Sequence, residues 1–267
     1  DGKKSAIYDE VRDPEFSPDS KRLAYVARLG DKQFVVVDGK EGKAYGQIHS
    51  SWHTNKVGIL RSYREHEGYG RISVKFSPDS KRIAFVASSD GKQFMVVDDK
   101  AGKKYHAIPV SPVFSSDSKH VAYLAVSNDK SYFVVDGRES MPYAFVAEGA
   151  FFSPDSKRWA FAAARSDADI KGLVVVDNKE GQAYHWTSDV IFSADSKRIA
   201  YTARSGSKQV AVVGSKQVAV VDGKAGKKYD AIIVPPVFSP DSKRVAYMAT
   251  SGDKQFLVVD GEKVSRD

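Results

Sequence analysis

Cysteine is absent from this chain, which excludes disulfides and thiolate metal sites yet fits oxidising and reducing compartments equally. Proline is scarce and glycine only average, while 42% of the residues are hydrophobic, so a disordered chain is excluded. Long apolar runs are missing as well: none approaches the roughly 20 residues that a membrane-spanning helix needs. The opening DGKKSAIYDE has neither the apolar stretch of a secretory signal nor an arginine-rich amphipathic pattern. The expected compartment therefore stays open between cytoplasm and an exported, processed state. Helical spacing of apolar residues is nowhere present.

What the chain has instead is one phrase written six times. FSPDSKRLAYVA begins at Phe16, and versions of it begin at Phe76, Phe114, Phe152, Phe192 and Phe238. The spacings are 60, 38, 38, 40 and 46 residues, and a period near 40 marks stacked repeats or propeller blades. Each phrase is followed by a polar loop and a β-branched run ending in aspartate, such as FVVVDG from Phe34 or FMVVDD from Phe94. Runs of that length bounded by Gly, Asp, Asn and Ser are strands. Four strands fit each repeat: strand a ending at the phrase's Phe, strand b in KRxAYVA, strand c in VVVDG, and strand d around a recurring tyrosine (Tyr45, Tyr105, Tyr143, Tyr184, Tyr229). The expected fold is all-β, a single six-bladed β-propeller of four-stranded antiparallel blades over residues 1–267. A β-helix would prefer shorter coils.

The sixth repeat stops at VVDGEKVSRD without a tyrosine, whereas Tyr8 precedes Phe16 by 8 residues, as Tyr184 precedes Phe192. Residues 3–9 are therefore expected to complete the last blade as its outer strand and close the ring, hiding two sheet edges. Two irregularities interrupt the pattern. Tyr45 lies 31 residues before Phe76, 22 more than the usual 9, so residues 46–71 form an insertion between blades one and two. In residues 207–221 the words SKQVAVV occur twice in succession, and either copy could serve as strand c.

FSPDS followed by KRIAF or KRVAY, and then by a hydrophobic strand ending in Asp-Gly, resembles the repeat of the TolB-type, WD-like bacterial β-propeller family. The resemblance covers nearly the whole chain apart from the insertion and the duplication. It implies a propeller fold; members of that family include propellers that bind proteins and propellers that gate peptidase domains, so the ligand stays open. Repeats this alike imply recent amplification or an engineered chain.

The repeated aspartates Asp19, Asp79, Asp117, Asp155, Asp195 and Asp241 read as caps of the a-to-b turn, a position Asp and Ser favour for its backbone donors. The formal net charge of +7 comes largely from Lys-Arg pairs in the same turns, such as Lys21 and Arg22. Each turn also carries its Asp and no aromatic platform is interleaved, so the expectation is a solvated face with no nucleic-acid partner.

Function is expected where the repeats differ. The insertion supplies Trp52, His53, Arg61, Tyr63 and Arg64. With Trp186 these form a candidate anchor for a protein or small ligand, because aromatic and Arg side chains dominate binding hot spots. Asp13, Glu148 and Asp189 stand just before strand a's Phe in three repeats and are expected at the channel mouth. His49, His53 and His66 lack the accompanying carboxylate spacing of a metal site. The sequence thus points to a monomeric, non-enzymatic scaffold with no cofactor and no metal, binding a protein or ligand through its variable loop face and channel mouth. Two alternatives stand beside it: an engineered or recently amplified propeller with no evolved ligand, and a metal-dependent enzyme using the three channel carboxylates.

Overall fold

Each FSPDSKR phrase folds as a tight turn between two antiparallel strands, and its residue choices explain why. In the first repeat Ser20 N donates to Ser17 O at 2.8 Å, and Ser17 N donates to Arg22 O at 3.0 Å. Ser17 Oγ accepts from Arg22 N and donates to Asp19 Oδ1, whose second donor is Lys21 N. The pattern recurs around Ser77, Ser115, Ser153, Ser193 and Ser239. The second serine of each turn sits in the left-handed region, as at Ser20 (φ 60°) and Ser80 (φ 65°). The c-to-d turns reverse in two residues, both with positive φ: Asp38 and Gly39 at 52° and 79°, Asp98 and Asp99 at 49° and 61°. Such values at both central positions match the twist of the flanking strands.

The computed structural model describes residues 7–49, 74–147, 151–166, 171–188, 190–205 and 216–264. The chain separates into two compact units, 1–140 and 141–267.

In the first unit the first sheet runs Glu10–Phe16, Leu23–Leu29, Lys32–Val37, Lys40–Glu41. The second has Gln47–Ile48 and Lys75–Phe76 side by side on Ile83–Ser89, followed by Lys92–Val97 and Lys100–Tyr105. The third runs Val113–Phe114, Val121–Ser127, Lys130–Val135, Arg138–Glu139. Strand b of the second sheet buries Ala84, Phe85, Val86 and Ala87 in succession. Both of its faces are therefore covered, which is why it reads as a continuous apolar run. One core joins the first and second sheets through Val35, Tyr45, Phe76 and Phe85, and another joins the second and third through Met95, Tyr105 and Tyr123.

The second unit repeats the plan. Its fourth sheet has Phe145–Val146 and Phe151–Phe152 on Trp159–Ala164, then Gly172–Val176 and Lys179–Glu180. The fifth has Trp186–Thr187 and Ile191–Phe192 on Ile199–Ser205, then Lys216–Val221 and Lys224–Tyr229. The sixth runs Ala231–Phe238, Val245–Ser251, Lys254–Val259, Glu262–Lys263. Its long inner strand shifts register between Ile232 and Val234 and again between Val234 and Val237, the second shift spanning Pro235 and Pro236, which cannot donate to a ladder. Cores of Val174, Tyr184 and Tyr201, and of Tyr229 and Tyr247, join neighbouring sheets.

Every sheet is antiparallel with four strand positions, and no helix occurs among the described residues. The six sheets are the blades of an all-β propeller. The second copy of SKQVAVV supplies strand c of the fifth sheet, with Ala200 opposite Val221 and Ser205 opposite Lys216; the first copy lies outside the described residues. In the sixth sheet the outer place beside Val258 and Val259 is held by Lys263 and Glu262, and Val264 N donates to Leu257 O. Residues 3–9 were expected there; residues 3–6 lie outside the described residues, and Tyr8 packs edge-on against Tyr25 with ring centroids 6.3 Å apart. Among the described residues no helix is long and apolar enough to cross a membrane.

Candidate functional site

The repeated turns are occupied by structural bonding. Asp19, Asp79, Asp155, Asp195 and Asp241 are held below the usual carboxylate range, first by the hydrogen bond from the turn's own serine and then by the lysine N–H two residues on. The arginines also differ from the solvated cations expected of them. Arg22 Nε donates to Asp38 at 2.8 Å, while its Nη1 crosses to the next sheet, reaching Ser80 O at 3.0 Å and Lys81 O at 3.1 Å. Its guanidinium also lies over Phe76, 5.4 Å from the ring centroid. Ser80 Oγ completes the link by accepting from Asp19 N. The same clasp is built by Arg82 on Ser118, Lys119 and Phe114, by Arg158 on Ser196, Lys197 and Phe192, and by Arg198 on Ser242, Lys243 and Phe238. The lysines beside them keep the exposure foreseen; the arginines are fasteners. A planar fork suits this task because one group can serve a carboxylate and two carbonyls together.

The opposite ends of the strands carry what differs. In the first unit Arg12 Nη1 pairs with Asp13 at 2.8 Å, and its Nη2 donates to Gln33 Oε1 and Ile48 O, both at 2.8 Å. Asp13, expected at a channel mouth, therefore has a guanidinium beside it and a left-handed φ of 54° within the bulge of strand a. Asp9 and Asp230 accept the backbone N–H of Gly30 and Gly252, capping the b-to-c turns of the first and sixth sheets. His106 holds the equivalent place in the third, with Nδ1 beside Ser127 Oγ and Nε2 beside Lys92 Nζ, each at 3.0 Å.

In the second unit Trp186 opens the inner strand of the fifth sheet opposite Arg204. Its side chain is 46% exposed. The Arg204 guanidinium stands 5.8 Å from the indole ring. Trp52, His53, Arg61, Tyr63, Arg64, Glu148 and Asp189 lie outside the described residues. Among the described residues no group of three or more His, Asp or Glu is placed to hold a metal ion.

Sequence reasoning passed over Arg12 and a recurring glutamine. Gln33, Gln93 and Gln217 each stand near the start of strand c and accept, through Oε1, the backbone N–H of Ile48 and Ile232 on the inner strand of the following sheet and of Ile108 in the segment leading into it. The signal was visible in the words DKQF, GKQF and SKQV: a polar residue repeated at one strand position has a partner to meet. Clefts of 330 and 390 Å³ open beside Tyr123 and Tyr247, lined by equivalent residues of two repeats. Their recurrence makes them a product of how neighbouring sheets stack.

No protein-family model and no curated protein matches the chain. Among solved structures it is similar to TolB from Acinetobacter baumannii, at 15% identity over 95% of this chain and 62% of that one, with a TM-score of 0.36. It is similar to the β-propeller domain of the Trilobed protease from Pyrococcus furiosus, described as having an open velcro topology, at 14% identity over 98% and 84%, TM-score 0.42. It is also similar to the Pyrococcus horikoshii acylaminoacyl peptidase, at 15% identity over 96% and 46%, TM-score 0.38. The chain spans 62% of the TolB chain's length and 46% of the peptidase's. The expectation that the chain is not an enzyme is corrected here: two of these three proteins are a protease and a peptidase, so the repeat gives no ground for excluding catalysis.

Proposed function

We propose that the chain is a propeller scaffold of the TolB-like kind that binds a protein segment through the variable ends of its blades, with Trp186 as an anchor. The carrying observation is the Trp186–Arg204 pair: a half-exposed indole with a guanidinium over its face. A packed core would have buried such a ring, and stacked Trp and Arg are the side chains that supply most binding energy at interfaces. Support comes from the other end of the blades, where the repeated Asp and Arg groups are consumed by turns and clasps. Trp52, Arg61, Tyr63 and Arg64 of the insertion are proposed as further contacts.

The test is panning a phage-displayed random peptide library on the immobilised chain, then titrating selected peptides against Trp186→Ala and against a chain lacking residues 50–69. Loss of at least tenfold in affinity on Trp186→Ala is expected, the scale of a hot-spot truncation of about 1.4 kcal/mol or more. Peptides that bind both variants as well as the parent chain would remove this face from the reading.

A further inference from the structure

We propose that the seam between the second and third sheets, at the variable ends of the blades, is an acid-sensitive latch whose titrating member is His106. Both sheets belong to the unit 1–140, and the unit 141–267 carries the same part built with aspartate. There Lys216 Nζ donates to Asp230 at the end of strand d of the fifth sheet, and Asp230 accepts the backbone N–H of Gly252, in the b-to-c turn of the sixth, at 2.7 Å. Lys92 and His106 stand at the corresponding two places of the second sheet, and Asn128 N, in the b-to-c turn of the third, donates to His106 Nδ1 at 3.3 Å.

A carboxylate serves both donors at once; an imidazole does not. The Lys92 ammonium only donates, so His106 Nε2, 3.0 Å from Nζ, must offer it a lone pair, while the Asn128 N–H asks Nδ1 for another. A neutral ring has one such pair to give. Ser127 Oγ, 3.0 Å from Nδ1, suits either tautomer because a hydroxyl both donates and accepts. Protonation removes the pair, leaves both donors without an acceptor and sets a second positive charge beside Lys92. The other charged groups of these turns do not offset it: Lys104 is paired with Asp90 at 3.0 Å, and Asp129 and Lys130 carry opposite signs.

The effect is local and has a defined range. Asn128 (φ 50°) stands where the sixth sheet has Gly252 (φ 59°), so its cap restrains a left-handed reversal that glycine makes freely. Imidazole changes its charge between about pH 5 and 8, so the latch is closed above that range and opens as pH falls through it. Asp230 is held below the usual carboxylate range, first by the hydrogen bond from Lys216 and then by the Gly252 N–H, so its cap is intact at about pH 5. Mild acid thus releases one seam and leaves the other fastened.

Residue-resolved NMR of the full chain tests this, with amide exchange measured from about pH 8 to about pH 5 and corrected for the intrinsic rate at each pH. In the parent chain the corrected exchange of the Asn128 amide should rise about three- to tenfold on acidification, the scale of one net hydrogen bond, with a midpoint matching that of the His106 ring signals. The Gly252 amide should show no such step. His106→Asp, which copies the arrangement at Asp230, should abolish the step at Asn128; His106→Gln, whose amide oxygen accepts without titrating, serves if the aspartate variant does not fold. Asn128 exchange that is the same at both ends of the range would overturn the proposal. So would a step of equal size in the variant, or at Gly252.

Discussion

Removing Arg82 tests whether the inter-sheet clasps hold the molecule together. Truncation to alanine deletes two Nη1 hydrogen bonds, to Ser118 O at 3.0 Å and Lys119 O at 2.6 Å. It also removes the Asp98 pair at 2.7 Å and the guanidinium over Phe114. Charged donors to carbonyls contribute about 1.5–3 kcal/mol when well shielded. With the Arg82 side chain 29% exposed and both bonds sharing one nitrogen, about 1–2 kcal/mol for the pair is appropriate. The half-exposed ion pair adds about 0.2–1 and the ring contact about 0.5–1 kcal/mol. The expected loss is about 2–4 kcal/mol, or at least about thirtyfold in the folded-to-unfolded ratio. Lys104→Ala is the internal control: it loses only the exposed pair with Asp90, about 0–1 kcal/mol. Urea unfolding followed by far-ultraviolet circular dichroism measures both. Equal, small losses for the two variants would refute the clasp as a stabilising device, and near-complete rescue by Arg82→Lys would refute the role assigned to the fork.

Two further outcomes follow from the turns. Asp99 holds a φ of 61° where four equivalent turns place glycine, so Asp99→Gly should stabilise the chain by about 0.5–1 kcal/mol, and Gly39→Ala should cost about 1–2 kcal/mol, both read from melting temperatures. The serine-capped aspartates have folded values below their unfolded value of about 3.9. Their contribution is therefore complete above that value and lost as pH falls through the folded values. Stability should hold from neutral down to about pH 5 and decline below about pH 4. Asp79→Asn should be less stable than the parent chain at pH 7, and the gap should shrink on acidification; a gap constant across urea midpoints at several pH values would show that ionisation is irrelevant.

The blade count and the order of strands were legible because the signals are local. A Ser-Pro-Asp-Ser turn, a β-branched run and an Asp-Gly reversal each act within a few residues, and six copies fix six sheets. Even Ser116 and Ala194 in the place of proline leave the turn intact, since proline favours that position without being required there. The choice between the two SKQVAVV copies was not legible, because identical words give identical local preferences. The clasp was hidden for another reason. Arg22 and Ser80 are 58 residues apart, and their meeting depends on how one sheet lies on the next. A Lys-Arg pair in a turn looks like solvated charge until that stacking is known. At the variable ends, Trp186 stood out as a large ring away from any repeated position, whereas Arg12 escaped notice since its partners Gln33 and Ile48 come from two different sheets.

The clasp has an evolutionary corollary. Its donor and its acceptor are both written inside one stretch of about forty residues, so any unit that carries the arginine, as all but the third with His120 do, can precede any other and does not record its ordinal number. Slippage of the gene by a whole unit yields a chain whose new member is fastened on both sides from the outset. Blade number is thus free to drift until something at the two ends counts it.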